Sequence, residues 1–143
     1  MKNKKNSVAI LIILVVFVLA IIVYYFSVFF APNSSVGYDS KLIWQFLIRD
    51  HVYILVDIKD TTNITIPKVS SPDFESTLKE RNAIMIELTD AVFSTLSENE
   101  FQLERKSEFG GYFSGNITKR GFNKLLKDER VKHIYAEKIL SGN

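Results

Sequence analysis

The sequence predicts an α+β domain of the ferredoxin-like class, βαββαβ, with two helices on one face of an antiparallel sheet, preceded by one transmembrane helix. Three observations predict it. An uncharged apolar run fills Val8 to Phe30, two helical patterns are each flanked by strand-like stretches, and Gly110-Gly111 joins two alternating segments into a hairpin.

The apolar run is the first element. At about 1.5 Å per residue a helix over Val8 to Phe30 spans roughly 34 Å, enough for a hydrocarbon core of ~30 Å. Tyr24, Tyr25, Phe26, Phe29 and Phe30 crowd its far end, where aromatic rings suit the headgroup level. Lys2, Lys4 and Lys5 precede it, so the positive-inside rule expects residues 1–7 in the cytoplasm and the C-terminal domain outside. A cleaved signal peptide fits less well. Its apolar core is usually about 7–15 residues, and Phe29 stands where a small residue is wanted before a cut after Ala31.

Residues 31–50 read as a linker. Ala31 to Ser40 is polar and rich in turn residues, and Ser40 is placed to cap a helical segment over Lys41 to Ile48. The apolar residues of that segment are too continuous for a clean stripe. It either packs on the domain or lies on a membrane surface with Trp44 at the interface.

The domain proper is expected over residues 51–143. His51 to Lys59 is β-branched and aromatic, a central strand. Ser71-Pro72-Asp73 supplies a cap, a first-turn proline and an acid, and opens a long helix. Phe74, Leu78, Met85, Leu88, Val92 and Leu96 mark its inner face. Phe101 and Leu103 alternate with polar residues in a second strand. In the third, Phe113, Gly115 and Ile117 share one face and Tyr112, Ser114 and Asn116 the other. Thr118 caps a second helix with Phe122, Leu125 and Leu126 inward, and Val131, Ile134 and Tyr135 belong to the last strand.

Composition narrows the function. From Ala31 onward the chain holds all 16 acids and all but three of the 18 Lys and Arg, a slight acidic excess that offers nucleic acid no basic surface. Without cysteine there is neither disulfide nor thiolate chemistry. The histidines, His51 and His133, lie far apart in sequence, with no nucleophile elbow and no H-E-x-x-H pair. No Gly-rich loop between strand and helix offers a phosphate cradle. The sequence thus points to no enzyme, cofactor, metal or small-molecule substrate. An RNA-recognition module shares the element order, but Phe109-Gly110-Gly111-Tyr112-Phe113 lacks its basic start and its alternation. Asn33, Asn63 and Asn116 head N-x-[ST] sequons, and Asn116 falls on the sheet face expected to be open.

The run Val52-Tyr53-Ile54-Leu55-Val56, the segment Phe113-Ser114-Gly115-Asn116-Ile117-Thr118 and Val131-Lys132-His133-Ile134 together resemble the propeptide (inhibitor) domain of subtilisin-like serine proteases, over roughly Val52 to Asn143. That family shows F-[SA]-[AG]-x-[IL]-T in its hairpin and V-x-x-[VI] in its last strand. It usually has Asp-Pro before that strand, where Asp128-Glu129-Arg130 keeps only the aspartate.

The resemblance implies a subtilisin-like protease as partner, bound by the open sheet face, with this domain acting as inhibitor or folding assistant in trans. It implies contacts from Tyr112 and Ser114 and a helix-capping acid at Glu137. It also implies an extended tail, Ile139, Leu140, Ser141, Gly142 and Asn143, lying product-like in the cleft. A tail without consequence stays open as the alternative. So do a non-inhibitory interaction module and the remnant of a membrane protease.

Overall fold

The computed structural model describes residues 2–29 and 35–136. The first part of the expected linker, through residue 34, lies outside them. The chain divides into two units, Met1–Asn33 and Ser34–Asn143. In the first, α1 runs over Lys2–Phe29, and every side chain described in it, from Ile10 to Val23, is exposed. Among the described residues no helix is long and apolar enough to cross a membrane. The finding overturns the expected single-pass anchor over 8–30, and with it the cytoplasmic N-terminus and the extracytoplasmic placement of the domain.

The second unit is α+β. Its elements are β1 (Gly37–Tyr38), α2 (Lys41–Ile48), β2 (His51–Ile58), α3 (Phe74–Phe93), β3 (Phe101–Lys106), β4 (Tyr112–Thr118), α4 (Lys119–Leu125) and β5 (Val131–Ala136). The strands form one five-stranded mixed sheet in the order β1-β5-β2-β4-β3. β2 is central and antiparallel to both β4 and β5, and β3 is antiparallel to β4. β1 runs parallel to β5, pairing Gly37 with His133 and Tyr38 with Ile134.

A plain ferredoxin-like sheet of four antiparallel strands is therefore corrected. The fifth strand comes from the segment expected to be a linker. Val36 is buried, and Tyr38 sets its ring edge-on to Phe122 with 5.8 Å between centroids. Two apolar residues around a glycine are too few to register as an alternating pattern. α2 is a further addition. It packs on the domain through Leu42 and Phe46, with the Phe46 ring 5.0 Å from that of Phe122.

The core follows from strand alternation. Val52, Ile54, Val56 and Ile58 of β2 are all buried, as are Phe113 and Ile117 of β4 and Val131 and Ile134 of β5. Helices α2, α3 and α4 cover that side. From α3 the buried residues are Met85, Thr89 and Val92, whereas Phe74, Leu78 and Leu88 are half-buried, as is Leu96 past the end of the helix. The helix starts at Phe74, later than the Ser71 cap expected. Ser71-Pro72-Asp73 instead forms a turn, in which Ser71 O accepts from Phe74 N at 3.1 Å.

Phe93, Phe101 and Phe113 form an edge-to-face trio with centroids 5.3 to 6.0 Å apart, a geometry the ring quadrupole favours. Gly115 makes the trio possible. A Cβ there would stand 2.1 Å from Gln102 O and 3.0 Å from the Phe101 ring. β3 is irregular beside it, between Leu103 and Arg105.

The β3–β4 turn is seated on α3. Gly110 and Gly111 have φ of 70° and 92°, and a Cβ on Gly110 would lie 2.3 Å from the backbone carbon of Met85. Thr89 Oγ1 donates to Met85 O at 2.7 Å and accepts from Gly111 N at 2.8 Å. Gly111 O in turn accepts from Ile58 N at 2.8 Å.

Glu100 fastens the opposite end of the hairpin. Its buried carboxylate meets Lys124 Nζ at 2.6 Å, Arg120 Nε at 3.0 Å and Ser97 N at 3.0 Å. Thr118 caps α4 by accepting from Gly121 N at 3.2 Å, and its own N–H donates to Glu100 O.

This packing generates three expected outcomes. Gly110→Ala should cost roughly 2 kcal/mol or more, since it combines a left-handed backbone penalty with a clash against helix backbone. A denaturant melt with an unshifted midpoint would detach the turn from α3. Phe113→Ala should cost about 3–5 kcal/mol and half-buried Leu88→Ala distinctly less, an order that chemical unfolding of both variants checks.

The third outcome concerns acid. Lys124, then the Ser97 N–H, hold the Glu100 carboxyl down to about 2 from its ordinary 4.5. The unfolded chain takes up that proton at higher pH. The stabilisation is therefore present above about pH 4.5 and is lost as pH falls towards 2. Glu100→Gln should be less stable than wild type at neutral pH, with the gap closing through that window. A gap independent of pH would mean that these partners do not hold the carboxylate.

Candidate protein-binding face

The same alternation that fills the core sends a second set of side chains to the side without helices. From β2 these are His51, Tyr53, Leu55 and Asp57, and from β4 Tyr112, Ser114 and Asn116. Register assembles them into rows. Leu55 stands between Ser114 and Tyr135, Asp57 between Tyr112 and His133, and Tyr53 beside Asn116. His133 and Tyr135 of β5 thereby join the face, and their rings stack with centroids 4.3 Å apart.

Polar groups on the face are largely tied to one another. Tyr53 Oη and Ser114 Oγ share a hydrogen bond of 3.0 Å, and Asn116 Nδ2 donates to Glu104 at 3.0 Å. Lys132 Nζ lies 3.1 Å from Asp57, a carboxylate that keeps the lysine charged to higher pH than usual. His133 Nε2 is 3.4 Å from Asp39 Oδ1, while Asp39 Oδ2 accepts from Ala136 N at 3.0 Å. Tyr112 and Tyr135 remain 45 % and 41 % exposed, with Leu55 half-buried between the strands.

Of the contacts expected from sequence, Tyr112 is on this face and open. Ser114 is on the face too, but only 4 % exposed and already bonded to Tyr53. Its part is to hold the tyrosine in place. Glu137, Ile139, Leu140, Ser141, Gly142 and Asn143 lie outside the described residues. Sequence reasoning misses Tyr53, Leu55 and His133 as members of the face, and takes Tyr135 for a plain strand residue. The alternation of His51, Tyr53, Leu55 and Asp57 with Val52, Ile54, Val56 and Ile58 carries the signal for the first two, beneath a run that looks apolar throughout.

Other chemistry finds little support. Among the described residues no group of three or more His, Asp or Glu side chains is placed to hold a metal ion. A shallow cleft of about 380 Å³ beside β3 includes His51, Glu98, Glu100 and Asn116. Its buried acid is already paired with Lys124 and Arg120. Asp128, the aspartate kept from the protease-propeptide pattern, closes the turn before β5 by accepting from Arg130 N, Nε and Nη2. Those bonds hold its carboxyl below the usual range.

No family model, curated protein or solved structure matches the chain.

Proposed function

We propose that the C-terminal unit is a protein-binding module that docks a folded partner on its helix-free sheet face, and that the partner is a subtilisin-like serine protease. The observation that carries the reading is the composition of that face. Tyr112 and Tyr135 stand open on either side of β2, and Asp57 between their strands is paired with Lys132. Rigid amphipathic rings in a locally neutral setting give large contact area at low entropic cost, and tyrosine is enriched among residues that dominate binding energy. The choice of partner rests on the resemblance of Phe113 to Thr118, and of the β2 and β5 runs, to the protease propeptide. Binding is the whole of the mechanism, and no catalytic step is assigned.

The test is calorimetric titration of the full chain into several subtilisin-like proteases, with peptide hydrolysis as a second readout of whether binding inhibits. Tyr112→Ala with Tyr135→Ala should weaken binding about thirtyfold or more, as for central aromatic contacts. Melting behaviour should change little, because both rings are outside the core. Wild-type affinity in the double variant would reject the face. Absence of binding to any such protease would reject the partner.

A further inference from the structure

The second unit carries one apolar stripe that neither its core nor the proposed face uses. On α2, Leu42 and Phe46 are buried, and the other side presents Trp44, Leu47 and Ile48 at 68, 50 and 80 % exposure. Spacings of three and four residues put these three on a single helix face. Lys41 opens the helix and Arg49 follows it, both exposed, with no acid between them. Of the flanking acids, Asp39 is turned to His133 and the Ala136 N–H, and Asp50 lies beyond Arg49. Helix α2 is thus apolar on both sides, with a cation at each end and an indole in the outer stripe.

The geometry points to an anionic lipid surface as the occupant of this stripe, with α2 lying in the plane of the headgroups. A tryptophan-bearing stripe flanked by Lys and Arg suits that layer, where the ring meets the acyl boundary and the cations meet lipid phosphates. Lying on a surface needs no spanning length, and the strength of such contact scales with the apolar area that the stripe buries. The stripe is separate from the protease-binding face, because α2 packs on the helix side of the sheet and that face is the other.

The chain carries its own reporter, since Trp44 is the single tryptophan. The experiment adds the full chain to vesicles of phosphatidylcholine and phosphatidylglycerol and follows Trp44 emission, with brominated acyl chains as a contact quencher. A blue shift and strong quenching are expected. Leu47→Asp with Ile48→Asp should reduce the quenching severalfold while leaving circular dichroism unchanged, because both side chains are outside the core. The milder pair Leu47→Ser with Ile48→Ser repeats the comparison should the aspartates disturb the fold. Helix α1 is present in every variant, so any affinity of its own for lipid cancels. Equal quenching in variant and wild type, or none in wild type, would overturn the proposal. So would a blue shift that grows with protein concentration in the absence of vesicles, which would assign the stripe to a second copy of the chain.

Discussion

The hydrogen-bond relay through Thr89 is the constraint on which the second unit depends. One buried hydroxyl serves Met85 O within its own helix and Gly111 N across the interface, and Gly111 O continues to Ile58 N at the end of β2. Three parts of the chain that are remote in sequence are thereby held at one point. The glycine beside it lets turn backbone touch helix backbone, a closeness that any side chain would prevent. Once α3 is tied to the tip of the β3–β4 hairpin, it must lie along the side of the sheet that bears Phe113 and Val56. The opposite side is left without cover by the same act.

Much of this is legible in the residues, and the rest is hidden for definite reasons. Period-two alternation over Tyr112 to Thr118 shows which side chains face the helices, and Thr118 stands three residues before the backbone N–H it caps. The long helix is legible, and so are Met85 and Val92 of its inner stripe, but the docking of Gly110 brings Thr89 to the sheet between them and leaves Leu78 and Leu88 half-buried. A threonine at the centre of that contact gives no hydrophobic signal. β1 escapes notice because a parallel pairing of two residues leaves no periodic trace, and it becomes visible only through its partner His133. On the candidate face, Tyr112 is readable and Tyr135 is not, since its orientation depends on pairing with Leu55.

The segment from Phe113 to Thr118, which carries the likeness to protease propeptides, is occupied at nearly every position by folding. Phe113 and Ile117 fill the core, Gly115 admits the Phe101 ring, Ser114 steadies Tyr53 and Thr118 starts α4. Such a motif can persist wherever this hairpin is built, whatever the domain binds. On the proposed reading, the residues that would discriminate among partners lie just before the motif and on neighbouring strands, chiefly Tyr112, Leu55 and Tyr135. That separation explains why a short motif can indicate a mode of docking and leave the choice of partner to a test of the face itself.

The two rims of the sheet add a different restriction. At one rim β5 is partly screened by β1, and Asp39 occupies the N–H of Ala136 with its carboxylate. At the other, β3 exposes Glu104, Arg105 and Lys106 in succession next to its irregular pairing. Charged side chains and distorted hydrogen-bond spacing make poor templates for an added strand. A sheet guarded in this way resists end-to-end growth into filaments. It also restricts recognition by strand addition, so a partner of the kind proposed would be selected by shape and aromatic contact on the broad side and not by main-chain pairing.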